Sequence, residues 1–262
     1  MKIGVIGKGI VGGAIYDGFR VVGHEVTYYD TKHPHTTIDN VLNTEIVFIC
    51  VPTKENDDGS CDISIVNATV QLLVHANYQG IIAVKSTVIP GTTEKLINQY
   101  PTARICFVPE FLREKSALTD FVDLHDVLIV GTTDTSLFDI VVKCHKYIPK
   151  HTIQVTPTEA EISKYFSNVF NALRITFANG MFDVCQKLGA DYQQVFRAVT
   201  YRDTIQPDYL QSSAYTKAFG GHCLPKDSQA FALLVKDLKL DYLSIFQAVI
   251  DDNEHHLINE KK

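Results

Sequence analysis

Seven short apolar runs punctuate the first 155 residues, and several are separated by stretches with helical spacing. The runs are 2–6, 25–29, 46–51, 80–85, 104–108, 126–130 and 152–155; the helical stretches include 65–75, 92–100 and 137–147. Strands alternating with helices build βαβ units around a mainly parallel sheet. Most of the runs are almost continuously apolar, as strands covered on both faces must be. The expected fold class is therefore α/β, with a doubly wound, mainly parallel sheet.

After Thr156 the period changes. From 158 to 188 there is almost no turn residue except Gly180, and Ile162, Phe166, Val169, Phe170, Leu173, Phe177, Met181 and Val184 recur every three or four residues. That spacing predicts one long amphipathic helix. Further helices are expected at 190–199, 227–235 and 241–257. The division is placed at 1–155 for the α/β domain and 156–262 for a smaller, all-helical one. No repeat or low-complexity linker separates them.

Composition narrows the function classes. The net charge is −6, from 24 basic and 30 acidic residues. With no basic run, phosphate-driven nucleic-acid binding is not expected. No stretch reaches the ~18 apolar residues of a membrane span, and no leader is expected ahead of the first strand. The six cysteines (Cys50, Cys61, Cys106, Cys144, Cys185, Cys223) include no CxxC pair. They are expected to be reduced thiols in a cytoplasmic setting, with neither a disulfide framework nor a metal site.

Gly7-Lys8-Gly9-Ile10-Val11-Gly12 follows the first strand and opens a helix. Gly7 permits the tight turn, Gly9 lets backbone approach a pyrophosphate, and Gly12 lets helix pack on strand. Asp30 closes the second strand about 20 residues on, where an acid accepts from a ribose 2′-hydroxyl and repels a 2′-phosphate. The pattern predicts a Rossmann-type nucleotide site that prefers NAD to NADP.

Other candidates are weaker by position alone. Cys223 lies in Phe219-Gly220-Gly221-His222-Cys223-Leu224-Pro225-Lys226-Asp227. A helix starting near Asp227, and Lys226 beside it, would favour the nucleophilic thiolate, although a lone cysteine is more often a small buried hydrophobe. Lys164 and Asn168 share a helix face, which by spacing alone reads as solvated. Glu110 and Ser86-Thr87 follow two strands, where open α/β sheets place ligands, but a loop acid and turn hydroxyls are equally good readings.

Together these segments resemble the nucleotide-sugar 6-dehydrogenase (UDP-glucose/GDP-mannose dehydrogenase) family. The resemblance rests on Gly7–Gly12, Phe48-Ile49-Cys50-Val51-Pro52-Thr53, Lys85-Ser86-Thr87-Val88-Ile89-Pro90-Gly91-Thr92, Val108-Pro109-Glu110-Phe111-Leu112-Arg113-Glu114, Glu161-Ile162-Ser163-Lys164 with Asn168, and the Cys223 block, all in family order. It implies oxidation of a primary alcohol to a carboxylate with two NAD, most simply UDP-glucose to UDP-glucuronate, through a cysteine thiohemiacetal and thioester. It makes Cys223 the nucleophile, Lys164 and Asn168 oxyanion donors, and Asp227, Glu110 and Thr87 the proton-transfer and water-orienting groups. Gly7, Gly9, Ile10, Val11, Gly12, Asp30, Val51, Pro52, Thr53, Thr87 and Glu114 would hold NAD. Glu110, Phe111, Leu112, Lys164, Asn168, Phe219 and Gly220 would face the sugar nucleotide.

The resemblance also implies a homodimer built on the helical domain and, because the sequence ends at Lys262, absence of the family's C-terminal nucleotide-binding domain. The substrate loop departs from the family pattern at Arg202-Asp203-Thr204-Ile205 and Thr216-Lys217-Ala218, so the family's arginine is out of register. Two other readings compete: a two-domain β-hydroxyacid dehydrogenase, which would not need Cys223, and a non-catalytic or partner-dependent NAD-binding remnant.

Overall fold

A computed structural model describes residues 1–213 and 218–260. In chain order it contains β1 (Lys2–Ile6), α1 (Ile10–Val21), β2 (Glu25–Tyr29), α2 (Asp39–Leu42), β3 (Ile46–Ile49), α3 (Ser64–His75), β4 (Ile81–Val84), α4 (Thr92–Gln99) and β5 (Arg104–Phe107). A 3-10 turn (Glu114–Ser116), α5 (Ala117–Val122), β6 (Val127–Gly131), α6 (Thr135–His145) and β7 (His151–Val155) follow. The helical part holds α7 (Pro157–Leu188), α8 (Tyr192–Thr200), α9 (Cys223–Asp237) and α10 (Ile245–Glu260). Two compact units result, one from Met1–Lys54 with Cys61–Lys164, the other from Glu55–Ser60 with Tyr165–Lys262.

In the first unit the strands lie in the order β2-β1-β3-β4-β5-β6-β7. Pairing is parallel from β2 through β5, and β6 and β7 are parallel to each other. The β5–β6 step is antiparallel, through Phe107 and Gly131. Both faces are covered, and alternate residues divide between two cores. Ile3, Val5, Ile46, Phe48, Ile81 and Ala83 pack with Phe19 of α1, Phe121 of α5 and Val141 of α6. Val47, Ile49, Ile82 and Val84 pack with Val70 of α3 and Leu96 of α4. The strand order reverses between β1 and β3, which opens a crevice beyond their carboxyl ends.

The units do not divide at the end of β7, where the period changes. The first two turns of α7 pack into the first unit. Gly131 has no side chain because a Cβ there would meet the Ala160 Cβ at 2.7 Å. Fully buried Glu161 accepts from the Gly91 and Thr93 amides at 2.6 and 2.7 Å. It thereby caps α4, whose own N-cap supplies no side-chain acceptor.

The second unit is helical, matching the expected class. Phe182, Ala178 and Cys185 of α7 pack with Tyr192 of α8, and Ala172 packs with Phe219 and Val249. Asn253 of α10 binds both the amide and the carbonyl of Phe219, at 2.7 and 3.1 Å. Two expected boundaries move. α9 begins at Cys223 rather than near Asp227, because Pro225 falls in the first turn, where its missing N–H costs nothing. The last helix begins at Ile245 rather than 241, after a turn closed by the Leu243 amide on the Leu240 carbonyl (2.9 Å). No described helix is long and apolar enough to cross a membrane.

Candidate active site

The glycine turn leads from β1 into α1. Gly7 sits at φ +88°, and a Cβ there would lie 2.7 Å from the Cys50 carbonyl oxygen. A Cβ on Gly12 would lie 1.9 Å from the Gly7 carbonyl oxygen, whereas one on Gly9 would meet nothing within 4 Å. Gly7 and Gly12 are thus required by the protein's own packing. Gly9, the N-cap of α1, faces open space, and no side chain caps the helix. The first-turn amides of Ile10 and Val11 are left for an anionic acceptor, as a pyrophosphate would provide.

Asp30 follows β2 directly. Its two carboxylate oxygens accept from the Lys8 amide (2.6 Å) and the Lys32 amide (2.8 Å). Partial burial pushes its carboxyl up, but those amides and the nearby His33 and Lys32 charges hold it below the ordinary carboxylate range. Each oxygen keeps a lone pair for a ribose hydroxyl. The Lys8 ammonium lies over the Tyr16 and Tyr28 rings, 3.8 and 4.2 Å from their centroids. Val51, Pro52 and Thr53 leave β3 beside this turn, and the Ser86 hydroxyl ties them to β4 by donating to the Val51 carbonyl at 2.7 Å.

Lys85, Ser86 and Thr87 leave β4, and Glu110 lies three residues beyond β5; these strands are parallel neighbours, so both segments emerge at one edge of the sheet. The Lys164 ammonium, 4% exposed, donates to the Glu110 carbonyl at 2.6 Å and to its Oε1 at 3.2 Å. Glu110 Oε2 accepts from the Leu112 amide at 2.8 Å, and Phe111 places its ring 5.6 Å from the Lys164 ammonium. Farther along, Asp120 binds the Arg113 amide and guanidinium and the Ser116 hydroxyl. The Arg113 bonds hold the Asp120 carboxyl down at about 2. Glu114 is exposed at the start of the 3-10 turn.

In the second unit, Cys223 is exposed and is the first residue of α9. Asp227 lies one turn later on the same helix and is almost fully buried. Its carboxylate accepts from Asn168 Nδ2 at 2.6 Å and from the Lys226 ammonium at 2.5 Å. Gly220 is exposed and Phe219 buried in the loop before Cys223. Thr216 and Lys217 lie outside the described residues. Desolvation pushes the thiols of half-buried Cys50 and buried Cys106 up to about 12.

Sequence reading did not give a role to Lys85, Glu161 or Asp120. A charged residue closing an otherwise apolar strand run was the available signal for Lys85. Glu161 was visible only as part of a motif, and its partners lie about 70 positions away.

A doubly wound sheet with an uncapped glycine-turn helix and an acid at the end of β2 defines the dinucleotide-binding class of α/β proteins. The UDP-glucose/GDP-mannose dehydrogenase family models match it in two parts: the NAD binding domain over residues 33–148 and the central domain over residues 158–255. UDP-glucose 6-dehydrogenase of Rickettsia bellii (strain RML369-C) is 32% identical over 82% of this chain and 50% of its own length. The solved UDP-glucose dehydrogenase of Pyrobaculum islandicum is 31% identical with a TM-score of 0.87, covering 97% of this chain and 68% of that one. Mycobacterium tuberculosis 3-hydroxyisobutyrate dehydrogenase, at 15% identity and TM-score 0.78, shares the fold alone. The chain belongs to the UDP-glucose/GDP-mannose dehydrogenase family, and its cofactor is NAD. It spans about half the length of the first curated relatives it matches.

Proposed function

We propose that this chain oxidises a nucleotide sugar, UDP-glucose to UDP-glucuronate, in two NAD-dependent steps. The observation that carries the reading is the buried Asp227 carboxylate, held by buried Asn168 of α7 and by half-buried Lys226, on the helix that starts with exposed Cys223. Burying such charges costs a scaffold stability that apolar residues would not, which argues against a non-catalytic remnant. NAD held at the glycine turn and Asp30 would supply the hydride acceptor for each oxidation. After the first, the Cys223 thiolate, favoured by the α9 N-terminus, adds to the aldehyde carbon to give a thiohemiacetal. After the second, the resulting thioester is cleaved by water and the thiolate leaves. Lys164 and Asn168 donate to the oxygen on which negative charge develops. Glu110 and Asp227 carry protons through water that Thr87 orients.

Glu114 and Thr87 are assigned to the nicotinamide end, and Phe111, Leu112, Phe219 and Gly220 to the sugar nucleotide. A reducing, cytoplasmic setting suits a reaction that depends on a thiolate. Homodimerisation through α7 is part of the same reading. Along that helix Ile162, Phe166, Phe170, Phe177, Val184 and Leu188 are all exposed, Phe166 at 70% and Leu188 at 78%, too large an apolar stripe for a helix that meets only water. On the terminal helix Val249 is buried and Phe246 packs on Phe231, while Ile245, Leu257 and Ile258 are exposed.

The test is NADH counted per product with UDP-glucose. Two NADH per acid supports the reading, and one per product points to the β-hydroxyacid dehydrogenase alternative. Cys223→Ser should abolish acid formation while NAD still binds. Full acid production by that variant would end the covalent mechanism.

A further inference from the structure

Lys85 is a charged side chain for which the proposed chemistry has no use. It follows the last residue of β4 and is 3% exposed. Its backbone amide bonds the Ile49 carbonyl at 2.9 Å, like a strand residue. A methionine or leucine would fill this place without the cost of desolvating an ammonium. The ammonium donates to the carbonyl of Pro109 at 3.3 Å. Pro109 is itself buried and sits just past β5, where the Val108 amide makes the last ladder bond, to Val84 (2.8 Å).

The next carbonyl, that of Glu110, is taken by the second buried ammonium, Lys164. Two lysines from different elements therefore hold successive carbonyls of one short segment, and the carboxylate of that segment completes the contact with Lys164. Burial lowers the Lys85 ammonium from its ordinary range, opposed by the neighbouring Cys50 and Glu110 and reinforced by Lys164.

We propose that Lys85 is a positioning residue that holds the Pro109 carbonyl so that Glu110 presents both its carbonyl and its carboxylate to Lys164. The inference rests on the reading that gives Glu110 and Lys164 their roles in the reaction. Without the Lys85 bond, a buried carbonyl loses its donor, and the segment shifts toward another one. A shift near 1 Å at a reacting group costs turnover about 100-fold.

The experiment is a double-mutant cycle on the full chain, with Lys85→Met and Glu110→Gln alone and together. Lys85→Met should lower kcat about 100-fold and leave NAD affinity within about twofold. In the Glu110→Gln background it should cost clearly less, because the carboxylate it positions is gone and only the backbone carbonyl is left to hold. Wild-type kcat in Lys85→Met, or an equal loss in both backgrounds, overturns the proposal. If Glu110→Gln alone keeps full turnover, the reading of Glu110 fails instead. The crystal structure of Lys85→Met then decides positioning without reference to activity. Glu110 moved out of hydrogen-bond reach of Lys164 supports the proposal, and an unmoved Glu110 overturns it. Should Lys85→Met not fold, Lys85→Gln keeps a shorter donor without charge. A partial loss of kcat is expected there, and none would overturn the inference.

Discussion

Replacing Gly12 by alanine puts a methyl group 1.9 Å from the Gly7 carbonyl oxygen. Protein Cβ atoms essentially never come within 3.0 Å of such an atom, so α1 must draw back from the turn by about 1.1 Å, an overpacking change that costs ~1–3 kcal/mol. The same movement carries the first-turn amides off any pyrophosphate they hold. Gly9→Ala is the matched contrast. Its methyl meets no protein atom within 4 Å, and its backbone is extended at φ −79°, so the folding cost is the capping loss, at most ~1 kcal/mol. The space that methyl enters is where the reading places the phosphates, so NAD binding should fall as far as in Gly12→Ala.

Gly13→Ala completes the set. It lies inside α1 with open space around it and should gain ~1 kcal/mol from helix propensity. Urea unfolding followed by circular dichroism, with calorimetric NAD titration, separates the three. Gly9→Ala with wild-type NAD affinity would refute the pyrophosphate assignment. Gly12→Ala with wild-type stability would refute the close-packing argument.

Asp30→Ala should relax the preference for NAD over NADP, because the carboxylate that would face a 2′-phosphate is gone; paired titrations that leave the preference intact would end that assignment. Glu161→Ala strips the acceptor from one buried and one part-buried amide at the start of α4 and should cost about 2–5 kcal/mol in urea unfolding. The pH dependence of stability has two separable parts. Burial raises the Glu161 carboxyl above its ordinary 4.5, so the folded state binds that proton more tightly and stability rises as pH falls through its folded pKa toward 4.5. Asp120, held at about 2 against an ordinary 3.8, acts oppositely, its contribution being lost as pH falls from 3.8 through 2. Glu161→Gln should flatten the upper window and Asp120→Asn the lower. Phe166→Glu with Phe170→Glu should give a monomer by light scattering, and an unchanged dimer would move the interface off α7.

The strand–helix alternation, the glycine turn and the long amphipathic helix were legible because each is set within a few residues. Doubly buried strands must be apolar throughout, a tight turn before a helix needs glycine, and a helix buried along one stripe repeats its apolar residues every three or four positions. The resemblance of six short blocks carried the family, and with it the roles proposed for Cys223, Lys164 and Asn168. Charge partnerships were not legible. Lys164 meets Glu110 across 54 positions, and Asn168 meets Asp227 across 59. Lys85 meets Pro109 only because β4 and β5 are parallel neighbours. The start of α9 at Cys223 and the packing of Phe246 on Phe231 also escaped local pattern. A buried charge or an apolar face takes whichever partner the packed chain brings within a few ångströms, and only the tertiary fold determines which residues those are.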